Sequence, residues 1–328
     1  MPIDQVKESN LLTQGLMKCL LLDPIGAATS IHLTLKTLTQ ISFTCPSEIG
    51  KDLVTKVLFF CDSQDDSLAQ ENSIKLICNL LTNERSCQVV LGLANDVLNG
   101  IYQCLQSLSK SAVKFALGAL LNLTLLKEEL RDQSCEIILQ TGGLSHLVCA
   151  VQKTYNSNDF ESMHFGMKAF QNLVKFRTPV VKILTIDLGY LEIIFQLCRQ
   201  IYQTVVKSTA QEVGKSDKAR ATKRRNDLLR LTMSASLGLL DQVAGSQGPN
   251  VAKESLIGDA GFLPFVNRMI LLSVDKPADI YEETLRPILQ HLTILCRSAW
   301  KFSKRIAEWE QEELAGNILS LIESTDSD

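Results

Sequence analysis

The feature that most constrains this chain is a helix-like phrase, KFALGALLNLT from Lys114 to Thr124, that recurs in altered form five more times. The related segments are LTLKTLTQIS ending at Ser42, SIKLICNLLT ending at Thr82, GMKAFQNLVK ending at Lys175, SASLGLLDQV ending at Val243 and TLRPILQHLT ending at Thr293. Each combines an apolar pair, a polar residue and a further apolar residue. The polar anchors are Gln40, Asn79, Asn122, Asn172, Asp241 and Gln290, spaced by 39, 43, 50, 69 and 49 residues. A second phrase follows some of them: GGLSHLV from Gly142, GYLEIIF from Gly189 and GFLPFVN from Gly261. Apolar-rich helices with a glycine-marked break, repeating at about 40 residues, are what stacked two- or three-helix repeats require.

The recurrence overrides what length alone implies. A chain of 328 residues reads as about two domains by size, but a stack of repeats grows in one dimension without closing a single core. Hydrophobic residues make up 45% of the chain and aromatics only 6%, as expected where Leu, Ile, Val and Ala pack helix on helix. The expected architecture is therefore an all-α solenoid of about six repeats, counted from the anchors.

Its expected layout runs in five parts. Residues 1–24 form a capping helix stopped by Pro24, residues 25–203 form repeats, and residues 204–227 form a basic flexible insertion. Residues 228–300 form further repeats, and residues 301–328 a capping helix bearing Trp309 and an acidic tail. A start this close to a repeat unit is compatible with a fragment or short isoform of a longer protein.

Chemistry-bearing motifs are scarce. The four histidines, His32, His146, His164 and His291, show no spacing that sets two on one helix face beside a carboxylate. The ten cysteines form no CxxC pair and sit singly on apolar faces, Cys78, Cys104, Cys149, Cys198 and Cys296 among them, as buried reduced thiols would. VGKSD at Val213 lacks the upstream glycine of a phosphate-binding loop, with Thr209 in its place. No catalytic residue, cofactor or metal site is expected, and the chain is not expected to be an enzyme.

No apolar run reaches the length of a membrane span or follows the pattern of a signal peptide. The expected setting is cytoplasmic, with the nucleus open as a second compartment. A net charge of -3 gives the whole chain no pull toward nucleic acid or anionic lipid. The segment from Lys207 to Asn226 holds seven basic and two acidic residues. It reads as a solvated loop, a nuclear-localisation segment around KARATKRR, or a contact for an acidic protein, lipid or nucleic acid. Its lack of aromatics argues against base stacking.

The anchors carry the functional signal. Lys114, Gly118 and Asn122 are spaced by four and form a thin polar stripe on an otherwise apolar helix. Lys36 with Gln40, Lys75 with Asn79, Lys168 with Asn172 and Arg286 with Gln290 repeat it. Stacking the copies turns each stripe into a rung of a ladder along an inner groove. The plain alternative is that lysines at helix edges only keep a surface soluble.

At GALLNL and GFLPFV the chain resembles the armadillo-repeat family, whose repeats carry a Gly-Gly-hydrophobic-Pro-x-Leu-Val start and an Ala-Leu-x-Asn-Leu inner helix. The resemblance covers roughly Leu33 to Arg297 and implies a right-handed helical solenoid. It further implies that anchor asparagines bind the backbone of an extended peptide, a role carried here to Asn79, Asn122 and Asn172, and less directly to Gln40 and Gln290. The nuclear-import branch has a Trp four residues before the anchor. Here those positions hold Lys36, Lys75, Gly118, Lys168, Leu237 and Arg286, so the groove looks basic and suited to an acidic segment, as in the catenin branch.

The expected function is thus a protein-binding adaptor whose groove residues are Lys36, Gln40, Lys75, Asn79, Lys114, Asn122, Lys168, Asn172, Arg286 and Gln290. Its partner is a protein, with no small-molecule substrate and with nucleic acid disfavoured. The alternative is a regulatory cofactor of a chaperone or small GTPase that grips a folded domain. Because the stripe is expected to be exposed in the free protein, substitutions in it are expected to leave folding nearly unchanged.

Overall fold

The computed structural model describes residues 28–44, 50–63 and 65–176, with isolated positions besides. The helices below fall within the first of the two compact units into which the chain divides, Met1–Phe176 and Arg177–Asp328. All regular structure among the described residues is helical.

The helices are α1 (Ala28–Thr44), α2 (Lys51–Cys61), α3 (Ser67–Leu80), α4 (Glu84–Leu91), α5 (Ala94–Gln106), α6 (Lys110–Thr124), α7 (Glu128–Gln140), α8 (Gly143–Asn156) and α9 (Phe160–Phe176). The anchor phrases occupy α1, α3, α6 and α9, as the recurrence requires. Their starts are set by local chemistry. Asp66 caps α3 by accepting from the Ala69 N–H at 3.0 Å, and Ser109 caps α6 by accepting from the Ala112 N–H at 3.2 Å, each satisfying an amide that the first turn would leave unpaired. Glu128 and Glu129 stand in the first turn of α7, where the helix dipole favours negative charge.

Two layers result. The anchor helices α1, α3, α6 and α9 pack side by side in chain order, and α2, α5 and α8 stack in a second layer behind them. Each second-layer helix also packs on the anchor helix that follows it, while α4 and α7 are the short connections ahead of α5 and α8. Neighbouring anchor helices run parallel. His32 meets Asp66 near the starts of α1 and α3, and Ser42 meets Asn79 near their ends.

The core lies between the layers and between successive anchor helices. On α6 the buried residues are Ala112, Val113, Ala116, Leu117, Ala119, Leu120 and Leu123. A helix buried on three sides keeps one open edge, which is the ladder edge. Close approach has a sequence basis at Gly166 on α9, where a Cβ would stand 2.5 Å from Val151 Cγ2 and 3.2 Å from Leu117 Cδ2. A side chain there would require the Val151 methyl or α9 itself to shift.

The glycine-marked phrase also has a physical explanation. Gly142 ends the turn after α7 in the left-handed region, with φ of 74°, a conformation that costs other residues steric strain. Gly142→Ala is expected to lower stability by about 1 to 2 kcal/mol, and Gly142→Asn by less, because asparagine tolerates this region. Urea unfolding followed by circular dichroism would check it. Equal midpoints for wild type and Gly142→Ala would show that the turn has relaxed.

Among the described residues no single helix is long and apolar enough to cross a membrane. Cys61, Cys87, Cys104 and Cys135 are buried free thiols, in line with the expected pattern. Cys149 departs from it and is exposed, because it lies on the outer face of α8 rather than on the face toward α9. Residues 204–227, Trp309 and the two terminal caps lie outside the described residues.

Candidate functional site

The open edges of α1, α3, α6 and α9 line up as four rungs. Lys36 and Gln40 are exposed on α1, whereas Lys75, Asn79, Lys114, Asn122, Lys168 and Asn172 are half-buried on the following helices. Arg286 and Gln290 lie outside the described residues, as does Asp241.

Between α1 and α3 the edge opens into a concavity of about 670 Å³ that brings Lys36, Gln40, Lys75 and Asn79 together. Its walls also include His32, Leu33, Thr39, Leu68, Glu71 and Asn72. Lys36 makes no ion pair among the described residues.

The anchor amides are engaged. Asn79 Nδ2 donates to the Thr39 carbonyl and to Ser42 Oγ, both at 3.2 Å. Asn122 Nδ2 donates to the Cys78 carbonyl at 3.1 Å and faces Cys78 Sγ at 3.6 Å. Asn172 Nδ2 donates to Thr124 Oγ1 at 3.0 Å. Every asparagine anchor thus ties its helix to the preceding anchor helix. A carbonyl partner accepts only, so it fixes the amide with its NH2 group inward and leaves Oδ1 as the group able to accept from elsewhere. The expectation that these residues are free of structural duty is corrected here, because parallel packing sets each amide against the last turn of the helix before it.

The lysines are partly engaged as well. Lys75 Nζ lies 5.2 Å from the centre of the Phe115 ring on α6, a cation–π contact. Lys114 Nζ pairs with Glu161 Oε1 on α9 at 2.9 Å. Lys168 Nζ donates to Gln171 Oε1 at 3.4 Å on its own helix. Glu71 and Glu161 therefore join an edge that the lysine positions alone made look uniformly basic. Glu71 stands four residues before Lys75 and Glu161 seven before Lys168, so helical spacing places them on the same face. Phe115 was missed because an aromatic in an apolar helix reads as core.

Electrostatics at the edge follow from burial and pairing. His32 Nε2 sits 2.8 and 2.7 Å from the two carboxylate oxygens of Asp66. Partial burial would raise the Asp66 carboxyl, but the Ala69 amide and then the His32 hydrogen bond and charge outweigh it and hold it below its ordinary value. The Cys78 thiol, half-buried beside Asn122, is pushed by desolvation up to about 11, so it stays protonated near neutral pH. Burial, with Lys168 adding to it, lowers the pKa of His164 and so favours the neutral imidazole. Among the described residues no group of three His, Cys, Asp or Glu side chains is placed to hold a metal ion.

No protein-family model matches the sequence, and no curated protein matches it. Solved structures do. A designed armadillo repeat protein superposes with a TM-score of 0.53 at 16% identity, covering 87% of this chain and 99% of that one. An engineered protein superposes with a TM-score of 0.58 at 17% identity, covering 86% and 99%. A second designed armadillo repeat protein, solved in complex with the peptide (KR)4, gives 0.53 at 15% identity, covering 87% and 99%.

The fold is that of the armadillo repeats. The all-α solenoid implied by the recurring anchors is thereby established, and α1, α3, α6 and α9 are the anchor helices of its successive repeats. Each of the three asparagine anchors has two chemical faces: an NH2 group that ties it to the preceding anchor helix, and a carbonyl oxygen that remains an acceptor.

Proposed function

We propose that this chain is a non-enzymatic scaffold that binds an extended, acidic segment of a partner protein along the armadillo edge. The observation that carries the reading is the concavity between α1 and α3, whose lining combines Lys36 and Lys75 with Gln40 and Asn79. An extended segment offers backbone N–H groups to the anchor Oδ1 atoms and carboxylates to the lysines. Glu71 in the same wall limits how many acidic residues fit there, so one or two carboxylates are accommodated rather than a dense run.

The structural neighbours support binding of a peptide in general. One was designed for modular peptide recognition and another holds (KR)4. The charge preference proposed here is opposite to that second ligand, because Lys36, Lys75 and Lys168 occupy the positions four residues before the anchors. The reading implies a cytoplasmic setting.

Lys36 is exposed and without an ion pair among the described residues, so Lys36→Glu should not disturb folding. Combined with Lys75→Glu it is expected to weaken an acidic peptide about tenfold or more, mainly through slower association, and to flatten the salt dependence. Fluorescence anisotropy with a labelled glutamate-containing peptide at two ionic strengths checks this. Unchanged affinity in the double variant would refute the acidic-segment reading, and binding only to an intact folded domain would favour a regulator of a larger machine.

A further inference from the structure

The concavity between α1 and α3 has two chemically different ends. At the starts of the helices its wall includes Leu33, 65% exposed, and Leu68, 50% exposed. These are two of the few large apolar side chains left open to solvent among the described residues. Toward the helix ends the wall becomes Lys36 and Lys75, then Gln40 and Asn79.

Helical spacing makes this a continuous track. Leu33, Lys36 and Gln40 share one face of α1, three and seven residues apart, and Leu68, Lys75 and Asn79 share one face of α3, where Leu68 lies a turn further from the lysine than Leu33 does. Because α1 and α3 run parallel with His32 on Asp66 at their starts, both leucines line the end of the concavity near that pair, and the lysines and anchor amides line the rest. The His32–Asp66 pair closes the leucine end beside Leu33, holding the two helix starts together. From position 33 to position 40 the track is about 10 Å long at 1.5 Å per residue, the reach of about three extended residues.

Resting on the peptide-scaffold reading above, we propose that the Leu33–Leu68 end is a specificity subsite for one apolar side chain, so that the partner segment carries an apolar residue within about three positions of an acidic one. Charge and apolarity are both met by such a segment. A uniformly acidic one would leave the leucines uncovered and crowd a carboxylate against Glu71. A uniformly apolar one would bury Lys36 without a counter-charge, which is unfavourable.

The test is a leucine scan on the full chain. The parent probe is an eight-residue labelled peptide of glutamate, glycine and serine, and in its relatives one leucine replaces each non-acidic position in turn. Anisotropy is expected to show that leucine at one or two positions tightens binding about tenfold over the parent, the order expected for burying one leucine side chain. Leu33→Ser with Leu68→Ser, both at exposed positions, should abolish that gain and leave the parent peptide's affinity unchanged. If the parent binds but no leucine position helps, or if the double serine variant keeps the gain, the subsite is refuted while the acidic groove stands. If neither parent nor leucine peptides bind, the subsite falls together with the groove. Lys36→Glu separates the two further, since it should weaken every peptide alike and leave the leucine gain intact.

Discussion

Phe170→Ala is expected to destabilise the chain by about 3 to 5 kcal/mol, the range for emptying a buried aromatic site. Phe170 is 1% exposed and heads the largest fully buried side chains among the described residues. It sits on α9, which packs on α6 and on α8, so its removal opens a void where the two layers meet. At Gly166 α9 already packs closely against the Leu117 and Val151 side chains, which limits how far the helix can settle into the gap. Because repeats depend chiefly on their neighbours, amide hydrogen exchange should accelerate most in α6, α8 and α9 and least in α1 and α2. Uniform acceleration would mean that the first unit unfolds only as a whole, and a loss below about 1 kcal/mol would show that the site repacks.

The second large effect is expected from replacing Asn79, Asn122 and Asn172 together by alanine. Each removes a half-buried tie to the preceding anchor helix, worth about 0.5 to 1.5 kcal/mol. The three together should cost about 3 kcal/mol if their effects add. The accepting groups on Thr39, Cys78 and Thr124 would lose those donors in the same step. Asn122→Asp is the sharper control. It keeps the size of the side chain but sets carboxylate oxygens against the Cys78 carbonyl, now 3.1 Å from Nδ2, so it should destabilise more than Asn122→Ala. Urea midpoints rank the variants. If Asn122→Asp were as stable as wild type, the amide would not be bound inward, and the anchors would revert to groups that serve a ligand alone.

These ties bear on how function is measured at the edge. An Asn→Ala variant changes binding and the register of its repeats together, whereas Lys36→Glu acts on an exposed residue and separates binding from folding. Charge variants on α1 are therefore the cleaner probe of the groove, and the asparagine variants the cleaner probe of the stack.

Much of this was legible in the chain itself. The fourfold spacing of Lys114, Gly118 and Asn122 in an apolar helix located the open edge of α6, and the same pattern located the edges of α1, α3 and α9. The glycine of GGLSHLV marked the turn that Gly142 makes with positive φ. Periodicity determines which face of a single helix is buried, and that much is local.

What the tertiary structure decided is what meets across helices 39 to 50 residues apart in sequence. Asn79 reaches Thr39 and Ser42, Asn122 reaches Cys78, Lys75 lies over Phe115 and Lys114 pairs with Glu161. Each depends on how far one helix is slid and rotated against the next, and that register is set by the whole interface, including the space left at Gly118 and Gly166, rather than by the residues of either stripe. The composition of an edge could be read from one helix at a time, but whether an amide on it is open or tied depended on its neighbour.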